Sequence, residues 1–344
     1  MFLLRVLLFP FALLYDAVTR IRNRLYDQGL KPSARFDVPV ICVGNLTVGG
    51  TGKTPVIEHL VHMLHINNYK VATLSRGYKR VTKGIRIATP EDNALTLGDE
   101  PYQLYRKFDN TLTVSVGEDR ALAIPTILQH DPDIQAVLLD DAFQHRRVSP
   151  WFNILLTDYH RPFYKDWVLP AGRLREARIG ADRADVIVVT KCPPAITEEA
   201  MMKITHEVRH YAEKPIFFAG LRYGDPVLMG GQAHEWQPKV VLVTGIANAQ
   251  PLVEYVRARF SIIRHFKYPD HHRYTERDIR QIRQALPDGA VVLTTEKDSV
   301  KIDIPAFHGL LAEIPFFFLP VEVYFMRNGE DFDALVKNAI HVES

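Results

Sequence analysis

The chain has 344 residues, 47% hydrophobic and 24% charged, which suits two globular domains and excludes collagen, coiled coil or disorder for its bulk. With 42 Lys plus Arg against 40 Asp plus Glu, the net charge of +2 offers no global basic field, so no nucleic-acid partner is expected. Cys42 and Cys192 sit in apolar runs and are too few for a disulfide framework or a four-thiolate zinc site, which points to a reducing, cytosolic compartment.

Positive charge gathers at the N-terminus. Residues 1–36 hold Arg5, Arg20, Arg22, Arg24, Lys31 and Arg35 against Asp16 and Asp27, a net +4. The segment opens MFLLRVLLFPFALLYDAV. It lacks the basic start and small-x-small cleavage site of a secretory signal. Arg5, Pro10 and Asp16 interrupt the run of about 20 apolar residues that a spanning helix needs. Leu3, Leu7, Leu14, Ala17, Ile21 and Leu25 recur at helical spacing. Residues 1–30 are therefore expected to form an amphipathic helix lying in a membrane interface, its arginines near anionic headgroups. Packing of that helix on its own domain is the plainer alternative.

From residue 38 short apolar runs alternate with helical stretches. VPVICVGN (38–45), KVATLS (70–75), TLTVSV (111–116), QAVLLDD (135–141), FNILLTD (152–158) and ADVIVVTK (184–191) read as strands, and residues 54–68 as a helix. The fold class expected is α/β, a P-loop NTPase-like, mostly parallel sheet with helices on both faces. Residues 31–214 would form this domain. PIFFAGLRYGDPVL (215–228) and PFFFLPVEVYF (315–325) would pair as a two-stranded β hinge spanning 215–228 and 315–326. Between them, 229–314 reads as a second, smaller α/β domain, and 327–344 as a C-terminal helix and tail.

The most informative stretch is Val48-Gly49-Gly50-Thr51-Gly52-Lys53-Thr54, placed after a strand and before a helix. Glycines let backbone N–H groups approach phosphates, and the helix N-terminus adds its positive dipole. Lys53 would reach the β- and γ-phosphates, and the Thr54 hydroxyl would bind Mg²⁺. Thr47 stands where the general phosphate-loop pattern has its first glycine. QAVLLDD ends a strand in Asp140 and Asp141, an acidic pair suited to hold Mg²⁺ directly or through water.

Other loops carry Ser75-Arg76-Gly77-Tyr78, Gly98-Asp99-Glu100-Pro101, Gly117-Glu118-Asp119-Arg120, Gln144-His145-Arg146-Arg147, Gly172-Arg173-Leu174-Arg175-Glu176 and Asp270-His271-His272. Arginines at several strand ends suit charge compensation in phosphoryl transfer, and a carboxylate–histidine pair suits orienting or deprotonating an acceptor. Each has a plainer reading: Asp99 as a helix cap, Arg146 and Arg147 as a solvated face, His271 and His272 as loop residues.

Taken in order, GNLTVGGTGKTP, SRGYK, GDEP, GEDR, DDAFQHR, GRLRE, DHHRYT and TTEKD resemble the tetraacyldisaccharide 4′-kinase family, from the N-terminal helix to about residue 300. The resemblance implies ATP-dependent, Mg²⁺-assisted phosphorylation of the 4′-hydroxyl of tetraacyldisaccharide 1-phosphate to lipid IV-A, in lipid A synthesis. It implies a peripheral protein on the cytoplasmic face of the bacterial inner membrane, with a lipid substrate and no obligatory protein partner. By position, Gly49, Gly50, Thr51, Gly52, Lys53 and Thr54 match the family's phosphate loop, and Thr47 agrees with it. Asp99 matches the carboxylate acting on the acceptor hydroxyl, and His271, not His272, matches its partner. Asp140 and Asp141 match the acidic pair near the metal. Gln144, His145, Arg76, Arg120, Arg175 and Glu176 match further active-site positions. The pairing of Asp99 with His271 requires the two domains to face each other across a cleft. TTEKD (294–298) reads as a helix-starting loop without an assigned role.

Two other functions fit parts of the pattern. A membrane-associated P-loop ATPase switch would carry a lysine at position 48, where this chain has Val48. A small-metabolite kinase on the same fold leaves the apolar N-terminus unexplained.

Overall fold

Apolar runs that stop at polar residues become buried strands, and the polar ends line one edge of the sheet. The computed structural model describes residues 2–229 and 234–341, without the side chains of residues 2–5 and 110. Met1, residues 230–233 and the expected tail at 342–344 lie outside the described residues, as does the side chain of Leu3.

The first unit contains α1 (Phe2–Asp27), β1 (Val40–Asn45), α2 (Lys53–Ile66), β2 (Val71–Ser75), β3 (Arg86–Ile87), α3 (Ala94–Leu97), α4 (Asp99–Phe108), β4 (Thr113–Val116), α5 (Arg120–His130), β5 (Ala136–Asp140), β6 (Phe152–Asp158), β7 (Val186–Thr190), α6 (Glu198–Arg209) and β8 (Ile216–Tyr223). The second contains β9 (Val227–Leu228), β10 (Lys239–Thr244), α7 (Gln250–Arg259), β11 (Ser261–Lys267), α8 (Glu276–Gln284), β12 (Val291–Thr295), α9 (Glu296–Ile302), α10 (His308–Leu311) and β13 (Phe316–Leu319). The chain then returns to the first unit through β14 (Val321–Phe325) and α11 (Gly329–Ile340).

The large sheet has nine strands in the order β14-β8-β7-β6-β1-β5-β2-β4-β3. Its seven central strands are parallel, and β3 and β14 close the two edges antiparallel. Alternate residues of each strand serve opposite faces. Ile41, Val43, Leu138, Leu156 and Val188 pack under α2 and α11, whose Leu60, Phe332 and Val336 are buried. Cys42, Leu139, Leu155 and Ile187 pack under α5 and α6. With both faces covered, the loops beyond the strands' carboxyl ends are left for ligands.

The second sheet runs β11-β10-β12-β13-β9, parallel except for β9. α8 and α10 cover one face and α7 the other. The segments expected as one two-stranded hinge each divide. Residues 216–223 and 321–325 pair antiparallel and extend the large sheet, while 227–228 and 316–319 pair inside the small one. The break falls at Pro226 and Pro320, which have no N–H to continue a ladder. Gly224 N–H donates to the Pro320 carbonyl at 3.0 Å, so both crossings lie side by side.

α1 reverses the usual burial. Its polar face turns inward: Tyr15 Oη donates to the Arg175 carbonyl at 2.8 Å, Arg22 Nη2 to the Gln144 carbonyl at 2.8 Å, and Asn23 Nδ2 to Glu176 Oε2 at 2.5 Å. Its apolar face turns outward: Leu7, Phe11, Leu14 and Ile21 are 70%, 63%, 67% and 62% exposed. Leu25 is half-buried. Among the described residues no helix is long and apolar enough to cross a membrane.

Candidate active site

The phosphate loop runs from the end of β1 into the first turn of α2. Gly52 has φ +82°, a left-handed conformation that a side chain would strain, and it lets the chain turn straight into the helix. Asn45 Nδ2 donates to Thr51 Oγ1 at 2.8 Å. The GRLRE segment runs beside the loop's approach, with Arg175 N–H donating to the Leu46 carbonyl at 2.7 Å and Val48 N–H to the Arg173 carbonyl at 2.9 Å. That pairing delivers Arg175 and Glu176 to the site.

Lys53 Nζ lies 3.6 Å from Asp141 Oδ1. Arg175 grips the same carboxylate with both nitrogens, at 2.7 and 3.0 Å. Burial pushes Asp141 up, but Lys53 and Arg175 outweigh it and hold its carboxyl below the usual range. Asp140 has no such clamp. Burial, then repulsion from Glu100, pushes its carboxyl up to about 7, and its Oδ1 has no hydrogen-bond partner. A buried carboxylate oxygen without a partner, next to a phosphate loop ending in Thr54, is a hard-oxygen donor set that suits Mg²⁺. Among the described residues no group of three or more His, Cys, Asp or Glu forms a separate metal cage.

Gln144 and Glu176 knit the site to α1. Gln144 Nε2 donates to the Asn45 carbonyl at 3.0 Å and to Glu176 Oε1 at 2.8 Å. Glu176 is buried and also accepts from Arg183 at 2.8 Å and from Asn23 of α1. His145 Nε2 accepts the Arg120 N–H at 3.3 Å. Burial, then the Arg120 charge, lowers its pKa to about 4, so it is neutral near pH 7. The Arg120 guanidinium is buried with Nε unpartnered, and burial weakens its charged form. Arg76 is exposed at the end of β2, and its charge acts on Arg120. Arg146 and Arg147 make ion pairs with Asp27 at 2.7 Å and with Asp119, and Arg147 stays exposed, in keeping with the plainer reading of a solvated face.

The second cluster spans the two units. Asp99 opens α4, where the helix dipole favours a carboxylate. Gly98 before it has φ +97°, and a Cβ there would come within 3.1 Å of the Tyr78 carbonyl. His271 Nδ1 lies 2.8 Å from Asp99 Oδ2. His271 has φ +58°, and its N–H donates to the Gly245 carbonyl at 3.2 Å. His272 turns away, with Nε2 3.1 Å from Asp278 and its ring stacked on Tyr268. Burial raises the Asp99 carboxyl, but the His271 hydrogen bond and the charge of Lys301 outweigh it and hold it below the usual range.

Lys297, in the TTEKD segment, belongs to this cluster. Its Nζ lies 3.3 Å from His271 Nε2 and 3.2 Å from Glu100. Burial opposes its charge, yet Glu100 and Asp270 raise its pKa. Lys297 and Lys301 are four apart on α9 and so share one helix face. That spacing, at a strand-to-helix turn, was the available signal. For Tyr15, Arg22 and Asn23 of α1 the signal was their spacing of seven and eight residues, which also places them on one face. Glu100 joins the two clusters, since it acts on both Asp140 and Lys297.

The family model for tetraacyldisaccharide-1-P 4′-kinase matches residues 4–341. A tetraacyldisaccharide 4′-kinase of Cytophaga hutchinsonii is 46% identical over 329 residues, 94% of this chain and 92% of the relative. One of Flavobacterium psychrophilum is 42% identical over 347 residues, 99% of this chain and 98% of the relative. The crystal structure of LpxK from Aquifex aeolicus in complex with ATP superposes with a TM-score of 0.76 at 27% identity, covering 98% of this chain and 99% of that one. Fold, motifs and relatives agree over nearly the whole length, and this chain belongs to the tetraacyldisaccharide-1-P 4′-kinase family.

Proposed function

We propose that the protein transfers the γ-phosphoryl group of ATP to the 4′-hydroxyl of tetraacyldisaccharide 1-phosphate, giving lipid IV-A. The observation that carries this reading is the Asp99–His271 pair, at 2.8 Å between the two units, next to a Glu100 that acts on Asp140 beside the phosphate loop. A base for an acceptor hydroxyl thus stands beside a site for the donor phosphates.

The residues divide the work. The phosphate-loop amides and Lys53 hold the β- and γ-phosphates, and Arg175 fixes Asp141 in place. Thr54 and Asp140 would hold Mg²⁺, which neutralises charge on the phosphate oxygens. His271 donates through Nδ1 to Asp99 Oδ2, while its Nε2 faces the Lys297 ammonium. Both ring nitrogens are engaged, so Asp99 Oδ1 is the atom left to take the hydroxyl proton. The 4′-oxygen forms its bond to the γ-phosphorus, the bond to the β-phosphate oxygen breaks, and ADP departs. Arg76 and Arg120, whose charges act on each other, supply positive charge for the transferring group.

α1 supplies the meeting point with the lipid. Its outward apolar face, with exposed Arg20 and Arg24 on the same helix, suits the surface of an anionic bilayer. The protein would work from the cytoplasmic face of the inner membrane as a peripheral protein. The test is transfer of label from γ-labelled ATP to tetraacyldisaccharide 1-phosphate in detergent, with Lys53→Ala alongside. Label should reach the lipid with the parent protein and fall by two orders of magnitude or more, roughly, in the variant. Full transfer by the variant, or ATP binding without transfer by the parent, would overturn the reading.

A further inference from the structure

The end of β7 touches the phosphate loop at two consecutive peptides. Thr190 Oγ1 donates to the Thr51 carbonyl at 2.7 Å. Lys191 Nζ donates to the Gly50 carbonyl. Both contacts are long-range, since some 140 residues separate the partners. Neither Thr190 nor Lys191 is among the phosphate-loop or acidic residues that the motifs single out.

The two side chains are themselves held. Thr190 closes β7 opposite Asp158 of β6, with Tyr159 N–H donating to its carbonyl at 2.9 Å, and its hydroxyl lies 3.2 Å from the Thr157 carbonyl, farther than from that of Thr51. Lys191 has φ +58°, a left-handed backbone that L-residues adopt at a cost. Its Nζ also lies 2.8 Å from Asp158 Oδ2 at the end of β6, and Asp158 Oδ1 is held by the His160 N–H at 2.8 Å. The next residue is fixed too, as Cys192 N–H donates to the Ala219 carbonyl at 3.0 Å. A strained backbone, locked on both sides, aims one ammonium at one carbonyl.

A trans peptide is planar, so its C=O and the N–H of the following residue point in opposite directions. Fixing the Gly50 carbonyl toward Lys191 turns the Thr51 N–H to the far side of the loop. Fixing the Thr51 carbonyl toward Thr190 turns the Gly52 N–H the same way. Gly49, Gly50 and Gly52 have no side chains to resist a peptide flip, so without these anchors the loop would sample orientations with carbonyls facing the nucleotide. We infer that Thr190 and Lys191 are positioning residues for nucleotide binding: they hold two phosphate-loop peptides with their N–H groups toward the phosphates. The inference rests on the assignment of this loop to ATP, and deepens it. Asp158 acts one step further back, by holding the Lys191 ammonium in place.

The test is calorimetric binding of ATP and ADP to the full-length protein in detergent, with no lipid present. Thr190→Val removes the hydroxyl at nearly constant volume, and Thr190→Ser keeps it. Lys191→Met removes the ammonium, and Lys191→Arg keeps a donor. Val and Met variants should bind both nucleotides about tenfold more weakly or worse, as befits loss of an oriented donor. Ser and Arg variants should recover most of that loss. In turnover, the KM for ATP should rise with the KM for lipid unchanged, whereas a general loosening of the fold would move both. The apo melting temperature shows which variants fold; should Lys191→Met not fold, the Thr190 pair decides. Parent-like nucleotide affinity in Thr190→Val, or equal loss in Thr190→Val and Thr190→Ser, would overturn the inference. A parent protein that binds ATP but phosphorylates another acceptor would leave it standing, and one that binds no ATP would remove the reading on which it rests.

Discussion

Replacing Phe11 and Leu14 together by Ser isolates the role of the outward face of α1. The two side chains are 63% and 67% exposed, so neither change opens a cavity in the folded protein. Burying a whole Leu or Phe side chain is worth roughly 2–3 kcal/mol, so the exposed share of each contributes about 1.5 kcal/mol on entering lipid. Losing both removes about 3 kcal/mol, which is roughly a 100-fold weaker partition into a bilayer. The assay is co-sedimentation with vesicles containing anionic lipid at fixed ionic strength, run beside calorimetric ATP binding. The double variant should stay in the supernatant and bind ATP as the parent does, because the polar face that touches Arg175, Gln144 and Glu176 is intact. Equal sedimentation of parent and variant would refute the argument that this face engages the membrane. Loss of ATP binding would show that the apolar face supports the site itself.

Asp99→Asn should lower kcat by about two to four orders of magnitude while leaving the KM for ATP within a few-fold, and His271→Gln should act in the same direction. A loss confined to ATP binding would place the pair on the nucleotide side. Glu58 of α2 tests the contact between the units. It is buried, accepts from Gln103 at 2.9 Å and from Lys107 at 2.8 Å, and Lys107 also meets Glu296 at 2.9 Å. Burial, then the Glu296 charge, pushes its carboxyl up to about 7 from an ordinary 4.5. The folded state therefore keeps a proton that the unfolded chain gives up. The associated stability is complete below the ordinary value and is lost as pH rises through the folded one. Glu58→Gln cannot titrate, so its melting temperature relative to the parent should rise between about pH 5 and pH 8. A difference that does not change with pH would remove the assignment.

Much of the first unit was legible because its signals are local. Apolar runs ending in Asn45, Ser75, Asp140, Asp158 and Thr190 are strands of a sheet covered on both faces, and their polar ends mark where ligands go. The glycines, Lys53 and Thr54 are contiguous, so the phosphate loop could be read from one stretch. The hinge was less legible: 215–228 and 315–325 each look like one β-rich run, and only Pro226 and Pro320 hint that each feeds two sheets. Contacts between distant segments left the weakest trace. The four-residue spacing of Lys297 and Lys301 marks a shared helix face but does not say that Lys297 meets His271, because that meeting depends on how the second unit docks. For α1 the periodicity gave a helix with an apolar stripe, but not which way the stripe faces. That depends on Glu176, Gln144 and Arg175 offering polar partners for the opposite side.

The thickness of α1 has a consequence of its own. One side of this helix hydrogen-bonds Arg175 and Glu176 beside the phosphate loop, and the other side carries exposed leucines and phenylalanines. A helix with its side chains is about 10–12 Å across. The helix is therefore a spacer, and it sets the working height of the chemistry above any surface on which it rests. With the helix resting on a bilayer, a sugar headgroup at that height would present its hydroxyl to Asp99 while its acyl chains stayed in their own leaflet. On a bilayer surface, transfer would then need no extraction of the lipid, only its lateral diffusion to the foot of the helix.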